Sequence, residues 1–302
     1  MKKKYLIVIQ GPTAVGKTSL SIDLAKEFSA EIISSDSRQF YQELKIGVAR
    51  PKEEELNAVR HHFIAHLSIQ DYYSVSRFEE DVLNLLENYF KYKDIAFLVG
   101  GSGMYSDVIC NGIDDLPDPD DNLRAHLNER LKNEGLEAIR EELRHRDPEF
   151  YDIVDLNNPK RVLRALEVCI QTGQKYSELR SKPKQKRDFE IIKIGLWLPR
   201  EILVARIHQR VDMMMEEGLL DEVKGLVDYQ NLNALNTVGY KELFEYINET
   251  WTLRFAIEKL KTNTRRFSKR QMTWYRKDSE IQWFQPHQLK EIVVFIKNKI
   301  DE

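Results

Sequence analysis

The sequence GPTAVGKT, residues 11–18, decides the predicted fold. It follows the apolar run Tyr5–Ile9, and Leu20, Leu24 and Phe28 then repeat with the spacing of one helix face. A strand, a glycine-rich turn and a helix, in this order, are the context in which G-x-x-x-x-G-K-[ST] is typical of a phosphate-binding loop. We therefore predict a P-loop between the first strand and the first helix of an α/β domain.

The chemistry of this loop follows from its main chain and from its last two residues. Glycines let the main chain wrap an anion, and the N terminus of the following helix adds a partial positive charge. Lys17 supplies a point charge to the outer phosphate, and the Thr18 hydroxyl can bind a magnesium ion. The pattern predicts a di- or triphosphate with a divalent cation, and it does not by itself specify a nucleotide.

The composition is that of a globular protein, with 302 residues, 42% of them hydrophobic and 31% charged. A net charge of −3 excludes a uniformly basic nucleic-acid binder but allows a local basic patch. Cys110 and Cys169 have no CxxC spacing, which indicates a reducing compartment and no metal site built from cysteines. Because no apolar stretch has the length of a secretory or membrane-spanning segment, we expect a cytoplasmic protein.

Two further apolar runs predict strands of the same parallel sheet. The run Glu31–Ser35 ends in Asp36, and ligands in such sheets bind beyond the carboxyl ends of the strands, so we place Asp36 near the P-loop. The run Ile95–Val99 ends in Gly100 and Gly101, where a P-loop NTPase usually carries an acidic metal ligand. The missing acid argues against ordinary ATP hydrolysis and predicts a close approach of the main chain to a ligand.

Beyond residue 113 the pattern changes from α/β to helical, and the run Glu190–Leu198 returns to a strand. We therefore predict a core of residues 1–113 and 190–302 and an all-helical insertion of residues 114–189. Two segments, residues 175–187 and 261–277, are rich in lysine and arginine, and the second interleaves aromatic residues. Arginines with aromatics suit RNA phosphates and unstacked bases, whereas the alternative is a solvated helix face.

Motifs along the whole chain resemble those of the bacterial tRNA dimethylallyltransferases. They are GPTAVGKT (11–18), SSDSRQFY (34–41), GVARP (47–51), HHF (61–63), LVGGSGMY (98–105), NPKRVLRALEV (158–168), RIHQRVDMM (206–214), TVGYKEL (237–243) and KRQMTWYR (269–276). This family transfers a dimethylallyl group from its diphosphate to N6 of the adenosine immediately 3′ of the anticodon in tRNA.

The resemblance implies a P-loop core with a parallel sheet flanked by helices and a helical insertion that grips the anticodon stem-loop. It implies a prenyltransferase that takes tRNA and dimethylallyl diphosphate, uses Mg²⁺, and holds a diphosphate rather than ATP in its P-loop. We expect a monomer that does not bind a membrane.

The resemblance also implies roles for individual residues. Asp36 is the general base, and Thr13 and Arg210 stabilise the diphosphate during catalysis. The diphosphate-binding residues are Gly11, Pro12, Thr13, Ala14, Val15, Gly16, Lys17 and Thr18, with Thr18 also on the metal. The expected tRNA contacts are Asp36, Ser37, Arg38, Gln39, Ser102, Arg124, Lys160, Arg161, Val162, Leu163, Arg164, Asn236, Thr237, Val238, Gly239, Tyr240 and Lys241.

The sequence departs from the family pattern at two positions. Ser102 stands where the family usually has threonine, and serine keeps the hydroxyl. Val48 stands where the family has threonine in the motif G-T-A-K-P, so the hydrogen bond of that hydroxyl is lost.

Two other functions share the P-loop. A kinase of a nucleotide or small molecule would use the same loop with ATP, and it predicts an acidic metal ligand after the third strand. A non-catalytic RNA-binding switch that uses GTP would need a base-specificity motif such as N-K-x-D, which the sequence lacks.

Overall fold

The computed structural model describes residues 3–114, 116–180 and 185–302. The chain divides into two compact units, one formed by residues 1–110 and 187–302 and the other by residues 111–186. Lys182 and Lys184, which belong to the first basic segment, lie outside the described residues. Within the described part of the chain, no helix has the length and apolar character needed to cross a membrane.

The first unit contains a parallel sheet, which confirms the predicted α/β class. Its strands are β1 (Tyr5–Gln10), β2 (Ile32–Ser34), β3 (His61–His62), β4 (Ile95–Gly100), β5 (Glu190–Leu196) and β6 (Gln282–Phe284). Their spatial order is β3-β2-β4-β1-β5-β6, and every neighbouring pair is parallel. Strand β1 is buried along its whole length. Strands covered on both faces have continuous apolar runs, which is why this one does not alternate.

The helices of the chain follow in order. They are α1 (Lys17–Glu27), α2 (Glu53–Ala58), α3 (Val75–Tyr89), α4 (Gly103–Asn111), α5 (Asp121–Arg146), α6 (Pro148–Ile153), α7 (Pro159–Thr172), α8 (Tyr176–Leu179), α9 (Arg200–Glu216), α10 (Leu219–Lys224), α11 (Tyr240–Ile247), α12 (Leu253–Tyr275) and α13 (Leu289–Asp301).

The strand order explains where a ligand can bind. From β1 the chain moves to one side of the sheet for β2, β3 and β4, and it then crosses to the other side for β5 and β6. The direction therefore reverses at the carboxyl end of β1, and such a switch point is where open α/β sheets bind ligands. The P-loop follows β1, and Asp36 follows β2, which is the next strand but one.

A second apolar cluster of the first unit lies among α9 to α12. Leu219 and Leu243 are fully buried there, and they pack with Val211 of α9 and Leu260 of α12. Because this cluster joins the two long helices, it fixes α9, which carries Arg210, relative to α12.

The second unit consists of α5 to α8 around its own apolar core, which contains Leu127, Ile139, Leu143, Phe150, Val162, Ala165 and Leu166. Asn158 followed by Pro159 is a sequence typical of a helix start, and helix α7 begins there: the Asn158 side chain accepts a hydrogen bond from the Arg161 amide, and Pro159 occupies the first turn. Gly173 ends this helix with a φ of 70°, a left-handed conformation that favours glycine.

Candidate active site

The P-loop has the backbone conformation of an anion-binding turn. Ala14 and Gly16 have φ angles of 64° and 107°, and α1 begins directly at Lys17. The Lys17 ammonium donates hydrogen bonds to the carbonyls of Gly11 at 2.8 Å and Pro12 at 2.9 Å. The loop therefore folds around its own lysine and presents a positive charge at the N terminus of a helix.

Three charged groups influence one another in this cleft. Desolvation lowers the pKa of Lys17 to about 8, an effect that the Asp36 carboxylate opposes and the Arg210 guanidinium reinforces. Burial also lowers the pKa of Arg210, again opposed by Asp36. Two poorly solvated cations against one carboxylate leave an excess of positive charge, which is suited to a diphosphate.

The loop after β2 is held by hydrogen bonds within the loop and to Ser102. The Asp36 carboxylate accepts from the amide of Arg38 at 3.1 Å, and its own amide donates to the Ser34 hydroxyl at 3.3 Å. The Ser102 hydroxyl accepts from the Ser37 amide at 3.3 Å and lies 3.1 Å from the Ser37 hydroxyl. Ser102 thus fixes the residue next to Asp36 and supplies a hydroxyl where the family has threonine.

The loop that contains Val48 uses its main chain for hydrogen bonding. Gln39 donates through Nε2 to the carbonyls of Val48 at 3.3 Å and Ala49 at 3.1 Å. The Glu222 carboxylate accepts from the amides of Ile46 at 2.8 Å and of the residues on either side of it. The missing hydroxyl at Val48 therefore leaves these contacts of the loop intact.

The glycines at the end of β4 make room for other parts of the protein, and Gly101 also lines a cavity that contains the P-loop, so the approach of a ligand to this main chain stays a prediction. A Cβ on Gly100 would lie 2.3 Å from the Ser35 hydroxyl, and one on Gly101 would lie 2.6 Å from Nε2 of Gln271. Gln271 lies on α12, donates to the Gly101 carbonyl at 2.7 Å, and accepts from the Thr13 amide at 2.8 Å. These glycines are therefore explained by packing at the end of β4.

Two cavities meet at Asp36. The first, of about 430 Å³, is lined by the P-loop and also by Arg206 and Gln271; we call it the P-loop cavity. The second, of about 420 Å³, is lined by the predicted tRNA residues Ser37, Arg38, Ser102, Asn236, Thr237, Val238, Gly239 and Lys241; we call it the second cavity. Both are lined by Thr13, Asp36, Val48, Arg210 and Phe267. The predicted catalytic residues therefore lie in the wall between them.

The helical unit has a cavity of its own, of about 350 Å³, lined by Arg124, Leu127, Asn128, Lys160, Leu163, Arg164 and Glu167. Glu167 is 2% exposed, and its Oε2 accepts from Arg124 at 2.8 Å and from Arg164 at 2.9 Å. Arg164 also donates to the Pro117 carbonyl at 2.6 Å. The other carboxylate oxygen of Glu167 is buried and has no hydrogen-bond partner among the described residues.

Two predicted tRNA contacts have side chains that cannot reach a ligand, and we correct the prediction for these. The Val15 side chain is fully buried as well, but the P-loop binds anions through its main chain, so that prediction stands. Val162 is fully buried in the helical core. Tyr240 is also fully buried, and its hydroxyl donates to Glu222 at 2.6 Å. Arg161, by contrast, is exposed on α7.

Three residues that line or approach the site were not predicted as site residues from the sequence. Arg206 donates to the Val15 carbonyl at 3.2 Å, and Gln271 binds Thr13 as described. Tyr275 is 1% exposed, and its hydroxyl has no hydrogen-bond partner within the described ranges. Burial, reinforced by the charge of Asp36, raises the pKa of Tyr275. The sequence pattern that could have indicated the last two is their spacing: Gln271 and Tyr275 carry polar groups and lie four residues apart, on one face of a predicted helix.

Comparison with known proteins decides the family. The model described as IPP transferase matches residues 39–278. The chain belongs to the IPP transferase family. The tRNA dimethylallyltransferase 1 of Bacteroides thetaiotaomicron is 50% identical over 97% of this chain and 95% of its own length. That of Bacteroides fragilis is 50% identical over 99% of this chain and its full length. The resemblance seen in the motifs is therefore confirmed, and prenyl transfer to tRNA is the activity that these relatives are named for.

Solved members of the family have the same fold. The tRNA isopentenylpyrophosphate transferase of Bacillus halodurans is 36% identical, with a TM-score of 0.73 over 99% of this chain and 97% of that one. A eukaryotic dimethylallyltransferase, whose structures show it acting on tRNA, is 29% identical, with a TM-score of 0.79 over 95% of this chain and 75% of its own. The predicted P-loop core with additional helices is thereby confirmed.

Proposed function

We propose that this protein transfers a dimethylallyl group from dimethylallyl diphosphate to N6 of the adenosine immediately 3′ of the anticodon in tRNA. The observation that carries this proposal is the shared wall of the two cavities. One cavity contains the P-loop, the other contains the predicted tRNA residues, and Thr13, Asp36 and Arg210 line both. A transferase of this kind must bring a diphosphate and a nucleoside together at one catalytic group.

The residues around the two cavities supply the base and the positive charges that the reaction needs. A bond forms between the adenine N6 and the allylic carbon, and the bond between that carbon and the diphosphate oxygen breaks, its electron pair leaving with the diphosphate. Asp36 accepts the proton that N6 loses, a role typically worth about 10²–10⁴-fold in rate. Lys17, Arg210 and the P-loop amides stabilise the charge that develops on the leaving diphosphate.

The P-loop cavity has the ligands that Mg²⁺ prefers. Thr18 and Glu55 both line it, and hydroxyl and carboxylate oxygens suit a hard cation. We propose that the Thr18 hydroxyl holds Mg²⁺ together with the diphosphate. When bound, the ion would neutralise part of the charge on the leaving group.

For the RNA we propose two areas of contact. The target adenosine leaves the stacked loop, at a cost of a few kcal/mol, and enters the second cavity. The helical unit contributes Arg124, Lys160, Arg161, Leu163 and Arg164 to the anticodon stem-loop, as the resemblance implies. Since tRNA is the substrate of this proposal, we place the protein in the cytoplasm, and we propose that it acts as a monomer.

The test is mass spectrometry of tRNA nucleosides after incubation of unmodified tRNA with the enzyme, dimethylallyl diphosphate and Mg²⁺. We expect one adenosine per acceptor tRNA to gain the mass of a dimethylallyl group. A parallel incubation with ATP in place of the prenyl donor should give neither modification nor release of phosphate. Release of phosphate from ATP, together with unmodified tRNA in the first incubation, would overturn the proposal in favour of a kinase.

A further inference from the structure

We propose that Gln271 is a positioning residue that fixes Thr13 of the P-loop against the end of β4 and so aligns the diphosphate with Asp36. The inference rests on the proposed prenyl transfer. It concerns a residue outside the P-loop in sequence, since Gln271 and Thr13 are 258 positions apart.

The hydrogen bonds of Gln271 fix its amide in one orientation. Only Oε1 can accept from the Thr13 amide, and only Nε2 can donate to the Gly101 carbonyl. The side chain is 6% exposed, so these partners are not replaced freely by water. A rotation of the amide would set like groups against each other on both sides, which is costly for buried polar atoms.

The hydrogen bond to Gln271 changes which group of Thr13 is available to a ligand. In an anion-binding loop the main-chain N–H groups point toward the anion, but the amide of Thr13 is already bound to Gln271. Thr13 is thereby held at one point of the loop, and it lines both cavities. Gln271 thus determines where this residue stands relative to Asp36.

The close packing around Gln271 supports this positioning role. The side chain passes so close to Gly101 that a Cβ there would lie 2.6 Å from Nε2. Helix α12 packs against α9, which carries Arg210. Through Gln271, therefore, one helix connects the P-loop, the end of β4 and the helix of a second diphosphate-binding residue. Since misplacement by about 1 Å can cost about 10²-fold in rate, this connection matters most for turnover.

The test compares Gln271→Met, which keeps the volume and removes both hydrogen bonds, with Ser268→Ala as a matched control. Ser268 is 4% exposed on the same helix, and its hydroxyl donates to the carbonyl of Arg265 in that helix. We expect Gln271→Met to lower kcat about 10- to 100-fold, with KM for both substrates within about threefold of wild type. Ser268→Ala should keep the kcat of the wild type.

A double-mutant cycle with Thr13→Val tests whether Gln271 acts through Thr13, because valine keeps the main-chain N–H that Gln271 binds and lacks the hydroxyl that this contact would position. If it does, the combined variant should have about the kcat of Thr13→Val alone, because coupled residues are not additive. Full additivity of the two losses would overturn the inference. So would a Gln271→Met enzyme with wild-type kcat, or one that loses affinity for inorganic diphosphate in proportion to kcat.

Two further experiments separate a failure of this inference from a variant that does not fold and from a failure of the proposed function. If Gln271→Met does not fold, Gly101→Ala displaces the same amide by crowding Nε2, and it should show the same fall in kcat with unchanged KM. Wild-type kcat in this variant would overturn the inference. If the wild-type enzyme transfers no prenyl group, the proposed function has failed, whereas transfer by wild type with no effect of Gln271→Met refutes only the positioning role.

Discussion

The guanidinium of Arg164 lies 2.9 Å from Oε2 of Glu167, and this carboxylate also binds Arg124. Arg164 and Arg161 are three apart on α7 and are both expected to meet RNA, yet their surroundings differ. Arg164 is tied to a carboxylate that is 2% exposed, whereas Arg161 is exposed. The two arginines are therefore predicted to respond differently to substitution.

Arg161→Ala should reduce tRNA binding through phosphate contacts. Each contact releases counterions, so we expect the slope of log affinity against log salt to fall by about 0.7 to 0.9, with binding of dimethylallyl diphosphate unchanged. Filter-binding titrations over a range of salt concentrations measure this slope. Lys297→Ala, which removes an exposed lysine paired with Glu27 on the core unit, is the control. An unchanged slope for Arg161→Ala would exclude this arginine from the RNA contact.

Glu167→Gln should destabilise the helical unit. The substitution leaves two arginines without their buried counterion, and removal of one partner of such a pair costs about 3–5 kcal/mol when fully buried. Because Arg124 and Arg164 are partly exposed, we expect about 1–2 kcal/mol, measured by urea unfolding followed in the wild type and the variant.

Glu142→Gln is the matched control for this experiment. Glu142 also bridges two arginines, Arg130 at 2.7 Å and Arg146 at 2.9 Å, but its side chain is 25% exposed. Solvent screens this pair, so the expected loss is below about 1 kcal/mol. Equal losses for Glu142 and Glu167 would show that burial of Glu167 contributes nothing.

Asp36→Asn should abolish most of the turnover and leave the loop in place. The asparagine oxygen can still accept from the Arg38 amide, but it cannot take the proton of N6. We expect single-turnover rates to fall by about 10²–10⁴-fold, while thermal shifts with inorganic diphosphate stay close to those of wild type. A variant as fast as wild type would remove Asp36 from the role of base.

The affinity for diphosphate should depend on the protonation of Lys17. In the free protein its pKa is lowered to about 8, and a bound anion favours the charged form and raises that pKa. Affinity is therefore full below about pH 8 and falls as the pH rises above it, by at most about tenfold per pH unit. Calorimetric titration with inorganic diphosphate between about pH 7 and about pH 9.5 measures the change.

Lys17→Arg provides the reference for that titration, because arginine stays charged throughout this range. The ratio of wild-type to variant affinity cancels the ionisation of the ligand itself. We expect this ratio to decline above about pH 8. A ratio that is constant across the range would contradict the assignment of the titration to Lys17.

Much of this protein was determined by local patterns in its sequence. The continuous apolar run of β1 predicted a strand, and the glycine-rich turn with Lys17 predicted the P-loop, because both depend on neighbours in the chain. Asn158 and Pro159 likewise predicted the start of α7. The short strand β3 at the edge of the sheet was missed, because His61 and His62 have no strand pattern.

The tertiary structure alone decided which distant residues meet. Gln271 lies 258 positions from Thr13, and nothing in the periodicity of α12 shows that its amide reaches the P-loop. The same holds for Glu167, whose place between Arg124 and Arg164 depends on the packing of α7 against α5. Local sequence fixes the conformation of a turn or a helix end, whereas the partner of a buried polar group is set by how whole elements pack.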